Sequence, residues 1–212
     1  AYFSPLVLAK FEGFRLLSTF STVVWLDYDI VIKGSLAELW NRRDFDLAFM
    51  GSGQAMAKGF MSPPTDVDLE REGMSAGVMV LRSSFVNHVM VASDLYGIYS
   101  KTYASLYYPE QAVFDLYFLS NQNFVYWKLD DRFCALPGSE SAGDLIIHSF
   151  GPKKFWSGLE NDSWSSNYQE WLSLGGWSWN PVQTRLVKLV RGIKHFTARL
   201  LMLFRFVSLR KI

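Results

Sequence analysis

Two carboxylates one residue apart, Asp27 and Asp29, follow directly on a short apolar run, Thr22 to Leu26 (TVVWL). Positions i and i+2 of an extended chain share a face. The pair can therefore offer hard oxygen ligands to one divalent cation, Mn²⁺ or Mg²⁺. A competing structural reading is that both aspartates only cap the turn before the next element, where Asp is common. Position favours the site, because ligands of open α/β sheets bind beyond the carboxyl ends of strands. A second cluster ends another apolar run: Leu145-Ile146-Ile147 leads into His148, with Gly151 three residues on and Lys154 six residues on. That order supplies an imidazole that can ligate metal, a backbone amide that a phosphate can approach, and a cation to pair with it. These are the parts that binding a diphosphate requires.

An apolar strand, D-x-D and then Ile30-Val31 also resembles the first motif of haloacid dehalogenase-like phosphatases, with Asp27 as nucleophile and Asp29 as acid/base. Gly143-Asp144 resembles their later acidic motif, but the acid expected four residues on is His148.

The elements that must hold these residues alternate. Residues 4–19 read as a helix and Thr22 to Leu26 as a strand buried on both faces of a parallel sheet. Ser35 and Glu38 form a capping-box pattern that starts a short helix through Trp40. A strand is predicted over 46–51, then a Gly, Ser and Pro-rich binding loop or lid over 52–73, then a strand over 76–81. Helical periodicity covers 84–99 and resumes at Pro109, and strands follow near 124–128 and 144–148. The pattern predicts an α/β fold with a mixed, mostly parallel sheet between helices.

Composition bounds the rest. The chain has 212 residues, 50% hydrophobic and 19% charged, enough for one large domain and incompatible with a disordered chain. A single cysteine, Cys134, excludes an internal disulfide and any cysteine-based zinc or iron-sulfur site, and favours a reducing compartment. Residues 1–180 carry a net charge of −7, while residues 181–212 carry +8 and no acid. The acidic body excludes general nucleic-acid binding through that body. Residues 1–10 (AYFSPLVLAK) lack the features of a signal peptide, and the opening reads as a cut inside a longer reading frame.

Several segments together resemble glycosyltransferase family 8, retaining enzymes of the GT-A fold that use sugar nucleotides. Leu26-Asp27-Tyr28-Asp29, Gly34 and Leu36 to Trp40 match its D-x-D region, and His148, Gly151, Lys154 and Trp156 match its later signature. Ser75-Ala76-Gly77-Val78-Met79 resembles the segment that faces the donor sugar, with Ser75 for the usual Asn. Pro109-Glu110-Gln111-Ala112-Val113 resembles its D-Q segment, with Glu110 for Asp; Cys134 stands where an Asn is frequent. The resemblance spans roughly residues 2–156. It implies Mn²⁺ (or Mg²⁺) held by Asp27, Asp29 and His148, and UDP-sugar phosphates contacted by Gly151, Lys154 and Trp156. It also implies a donor sugar bordered by Ser75, Ala76 and Gly77 and positioned by Glu110 and Gln111. The strand and helix that bind uracil and ribose in this family would lie upstream of Ala1. The expected fold class is thus α/β, GT-A-type (Rossmann-like), N-terminally truncated, over residues 1–180.

Residues 181–212 read as a separate basic amphipathic helix. At 100° per residue, Arg185, Lys188, Arg191 and Arg199 fall on one half, and Leu186, Leu189, Ile193 and Phe196 on the other. Basic residues interrupt every apolar run before the roughly 20 residues needed to span a bilayer, so the pattern suits an anionic membrane surface. Packing on the acidic body is the alternative, and RNA binding by the tail lacks any accompanying motif. Trp164, Trp171, Trp177 and Trp179 precede it and could stack on acceptor sugars or seat the tail. The expectation is a hexosyltransferase that moves glucose or galactose from UDP-hexose to a glycan or glycolipid acceptor. It would be cytoplasmic, peripheral on the inner face of the cell membrane through residues 183–212, and would bind no nucleic acid. The competing class is an inactive membrane-associated scaffold of the same fold.

Overall fold

A computed structural model describes residues 5–65, 68–84, 88–119, 124–150, 154–155 and 161–176. The chain divides into two compact units, Ala1–Pro152 and Lys153–Ile212. In the first unit the strands are β1 (Thr22–Leu26), β2 (Ile30–Ile32), β3 (Leu47–Ala55), β4 (Glu72–Arg82), β5 (Tyr126–Lys128) and β6 (Ile146–His148). Its helices are α1 (Ala9–Leu16), α2 (Ala37–Asn41), α3 (His88–Thr102) and α4 (Pro109–Phe114).

Four strands form one sheet in the order β1-β4-β3-β5. β4 is antiparallel to both its neighbours and β5 is parallel to β3, so β1, β3 and β5 run one way and β4 runs against them. β2 and β6 make a separate antiparallel ribbon. The apolar runs are continuous because both faces of the sheet are covered. Leu47 and Phe49 of β3 and Met79 and Leu81 of β4 pack into a core with α1, α3 and α4. Ala48, Met50, Val78 and Val80, the alternate residues, pack into a second core with α2, Trp127, Phe133 and Ile146. The first core is aromatic: Phe11, Phe14, Phe114 and Phe118 are fully buried, each worth about 1.5–3 kcal/mol of transfer free energy.

Three expectations change. β1 is not a buried parallel strand. It lies at the sheet edge, pairs antiparallel with β4, and is half-buried at every position. An unbroken apolar run indicates two covered faces but carries no information on the direction of the neighbour. The capping box does not close either. Ser35 Oγ accepts from the Ala37 amide at 3.3 Å, but Glu38 turns outward to Arg132 at 3.3 Å. The 52–73 segment is also more ordered than a plain loop: β3 runs on to Ala55, a 3₁₀ turn covers Met56–Gly59, and β4 begins at Glu72.

The second unit contributes α5 (Asp162–Ser173), capped by Asn161, whose side chain accepts from the Trp164 amide at 2.9 Å. Phe155 stacks on Trp164 at 5.3 Å between centroids, and Trp164 on Tyr168 at 5.7 Å, so these rings pack within the unit. Trp177, Trp179 and the tail 181–212 lie outside the described residues. Among the described residues no helix is long and apolar enough to cross a membrane.

Candidate metal centre

The site is assembled where β1 ends. The Asp27 amide donates to the Gly77 carbonyl at 2.9 Å, prolonging the β1–β4 ladder by one residue. This fixes the start of the turn Asp27-Tyr28-Asp29, after which the chain enters β2. β2 pairs with β6 so that Ile30 lies opposite His148. The Ser149 amide donates to the Asp29 carbonyl at 2.9 Å and the His148 amide to that of Ala135 at 2.9 Å. Residues 119 apart in sequence thus converge: His148 Nε2 is 3.1 Å from Asp29 Oδ1 and 3.9 Å from Asp27 Oδ2. One ligand atom from each of Asp27, Asp29 and His148 lies within 4.8 Å of the others.

Two carboxylates and an imidazole suit Mn²⁺ or Mg²⁺ chemically, and ligands bonded at about 2.0–2.2 Å stand about 3 Å apart. The observed separations fit such an ion with small side-chain adjustments. Gly77 makes the imidazole's position possible, since a Cβ there would stand 2.2 Å from His148 Cε1. On the other ring nitrogen, Nδ1, Cys134 Sγ lies at 3.5 Å. Burial pushes the Cys134 thiol up to about 11, with Asp131, Asp27 and Asp29 acting in the same sense.

A buried lysine stands beside the acids. Lys10 of α1 is 4% exposed, and its Nζ lies 3.0 Å from Asp27 Oδ1 and 3.1 Å from Asp27 Oδ2. It also donates to the Ala76 carbonyl at 3.0 Å and lies 3.5 Å from Glu110 Oε1. That carbonyl is available because pairing between β3 and β4 steps from Met79 to Ser75, leaving Ala76, Gly77 and Val78 without Cα partners on β3. Trp25 Nε1 completes the set on Asp27 Oδ1 at 2.9 Å. Burial raises the Glu110 carboxyl above its ordinary range, opposed by Lys10 and reinforced by Asp27, and Glu110 Oε2 is buried with no hydrogen-bond partner among the described residues. A buried acceptor of this kind is unfavourable unless a further donor reaches it.

Of the residues singled out in the sequence, Asp27, Asp29, His148, Ala76, Gly77 and Glu110 fall together around this point. Ser75 and Gln111 adjoin it in sequence and are half-buried. Lys154 is half-buried and belongs to the second unit, whereas Gly151 and Trp156 lie outside the described residues. The acid that the phosphatase motif needs four residues after Asp144 is His148, which faces Asp29 at 3.1 Å, while Asp144 accepts from the Ser141 amide at 2.5 Å and the Ser141 hydroxyl at 3.0 Å. Lys10 and Trp25 were not anticipated as part of the site. The available signal for Lys10 was a cation on the buried stripe of α1 beside Phe11, Gly13 and Phe14.

The family model described as glycosyl transferase family 8 matches residues 1–160. No curated protein matches the chain. Among solved structures, an active-site mutant of LgtC aligns with a TM-score of 0.60 at 14% identity, covering 79% of this chain and 67% of that one. The galactosyltransferase LgtC with donor and acceptor sugar analogues aligns at 0.56 and 14% identity, covering 82% and 67%. GlyE of Streptococcus pneumoniae TIGR4 aligns at 0.53 and 17% identity, covering 82% of this chain and 47% of that one. At these identities the likeness concerns the fold, a GT-A-type mixed sheet flanked by helices. The family match over most of the chain goes further: the chain belongs to glycosyltransferase family 8.

Proposed function

We propose that the protein is a metal-dependent retaining hexosyltransferase that moves glucose or galactose from a UDP-hexose to a glycan acceptor. The acceptor class we favour is a lipid-linked surface saccharide such as a lipopolysaccharide core. The observation that carries the reading is the convergence of Asp27, Asp29 and His148 on one point at separations of 3.1 and 3.9 Å.

When bound, a divalent ion there would neutralise diphosphate charge and make UDP a better leaving group. Asp27, Asp29 and His148 would hold it. Lys10 orients the Asp27 carboxylate through contacts at 3.0 and 3.1 Å and lies 3.5 Å from Glu110. The Glu110 Oε2 acceptor is suited to a donor-sugar hydroxyl, which would satisfy it as the sugar seats. Gln111, next on α4, offers an uncharged amide that can lie near the electron-poor anomeric carbon without reacting with it. Lys154, Gly151 and Trp156 are assigned to the departing diphosphate, Lys154 countering its growing charge. Retention of configuration requires the acceptor hydroxyl to attack from the face that UDP leaves.

Residues 183–212 are assigned to the cytoplasmic face of an anionic membrane, where each Lys or Arg contributes about 1 kcal/mol. The test uses the full-length protein with UDP-glucose and UDP-galactose. One of the two should be consumed in a Mn²⁺-dependent manner, and Asp29→Ala should abolish turnover; metal-independent turnover, or none with either donor, contradicts the reading. Deleting residues 183–212 should release the protein from vesicles containing phosphatidylglycerol, and unchanged binding would refute the anchor.

A further inference from the structure

The two ring nitrogens of His148 face different partners. Nε2 faces Asp29 at 3.1 Å and Asp27 at 3.9 Å, while Nδ1 lies 3.5 Å from Cys134 Sγ. The side chain is 3% exposed, Gly77 is packed against Cε1, and the Phe150 ring lies edge-on at 5.6 Å. The imidazole is therefore hemmed in and cannot turn freely to water.

A neutral imidazole carries one N–H. If Nε2 is to give its lone pair to a metal ion, the proton must sit on Nδ1, where the facing atom is Cys134 Sγ. We propose that Cys134 is a positioning residue of the metal centre: its sulfur accepts the Nδ1–H and so selects the tautomer of His148 that can ligate through Nε2. Metal-bound histidines commonly make such a bond to a carboxylate, carbonyl or water, and losing that partner weakens metal binding about 10–100-fold. A thiol is a weak acceptor, yet Cys134 Sγ is the atom that faces Nδ1, at 3.5 Å. The inference rests on the metal-dependent reading of the site.

The experiment measures Mn²⁺ affinity of the full-length protein by the electron paramagnetic resonance of free Mn²⁺. It also records ¹⁵N shifts of the His148 ring in the metal-free state, assigned through His148→Gln. Cys134→Ala should weaken Mn²⁺ binding about tenfold and shift the tautomer ratio, while Cys134→Ser, which restores an acceptor, should recover most of the affinity. Affinity in Cys134→Ala within twofold of the parent, with Asp29→Ala still abolishing binding, overturns the proposal and leaves the metal site standing. A loss that Cys134→Ser does not recover assigns the effect to packing and also overturns it. If the parent protein binds no Mn²⁺, the metal-dependent reading fails first and this inference with it.

Discussion

Lys10 and Arg82 are both cations buried to within 4% and 3% exposure, and their surroundings could hardly differ more. Lys10 faces two carboxylates, Asp27 and Glu110, beside the candidate metal centre. Arg82 closes the end of α2: it donates to the carbonyls of Leu39 and Trp40 at 3.1 Å each, to that of Arg42, and to the Thr22 hydroxyl. Its guanidinium also lies 5.0 Å from the centre of the Phe45 ring. Arg82 therefore serves the negative end of a helix dipole and ties β1 and β4 to α2. Burial of a charge does not by itself mark a site. What distinguishes Lys10 is that its partners are themselves groups that a substrate or ion would recruit.

The contrast breaks most sharply under charge removal. Lys10→Met leaves Asp27 and Glu110 without their cation and should lower sugar transfer about 10³-fold, some 4 kcal/mol. Lys10→Arg, which keeps the charge, should retain activity within about tenfold. Arg82→Met should instead cost about 3 kcal/mol of unfolding free energy in urea, with turnover per folded molecule little changed. If both substitutions acted equally on stability and turnover, the distinction would fall.

A third buried charge sharpens it. Asp115, 1% exposed, accepts from the Met74 amide at 2.7 Å, and burial pushes its carboxyl up to about 7. Unfolded, the same group loses its proton near pH 4. Between these values the folded state binds the extra proton, so stability falls as pH rises through that window. Asp115→Asn keeps the acceptor and removes the charge. It should stabilise the protein by about 4 kcal/mol at pH 8 and make little difference near pH 4; melting curves at the two pH values decide. The smallest effect is expected at Gly77. Gly77→Ala should displace the His148 ring and weaken Mn²⁺ binding about tenfold, roughly 1.4 kcal/mol, with a lowered melting temperature because the added Cβ meets the buried ring.

The three candidate ligands were legible because their signal is local: D-x-D at the end of an apolar run, and a histidine at the end of another, with glycine and lysine at fixed spacings. Strand positions were legible for the same reason, as continuous runs in a sheet covered on both faces. The edge position of β1 was not, because side-chain pattern is silent on the neighbour's direction. Glu38 misled because a capping box competes with any nearby cation, here Arg132. Lys10 was hidden by habit of type: lysine on a helix reads as solvated until the apolar stripe around it is drawn. Gly77 was noticed because the resemblance sets it beside a donor sugar, whereas its contact with His148 depends on β4 and β6 coming together.

The most direct test is the anomalous scattering of Mn²⁺ in crystals of the full-length protein grown with UDP. A peak about 2.0–2.3 Å from His148 Nε2 and from oxygens of Asp27 and Asp29 is the predicted result. A manganese peak elsewhere, or none at saturating metal, would contradict it.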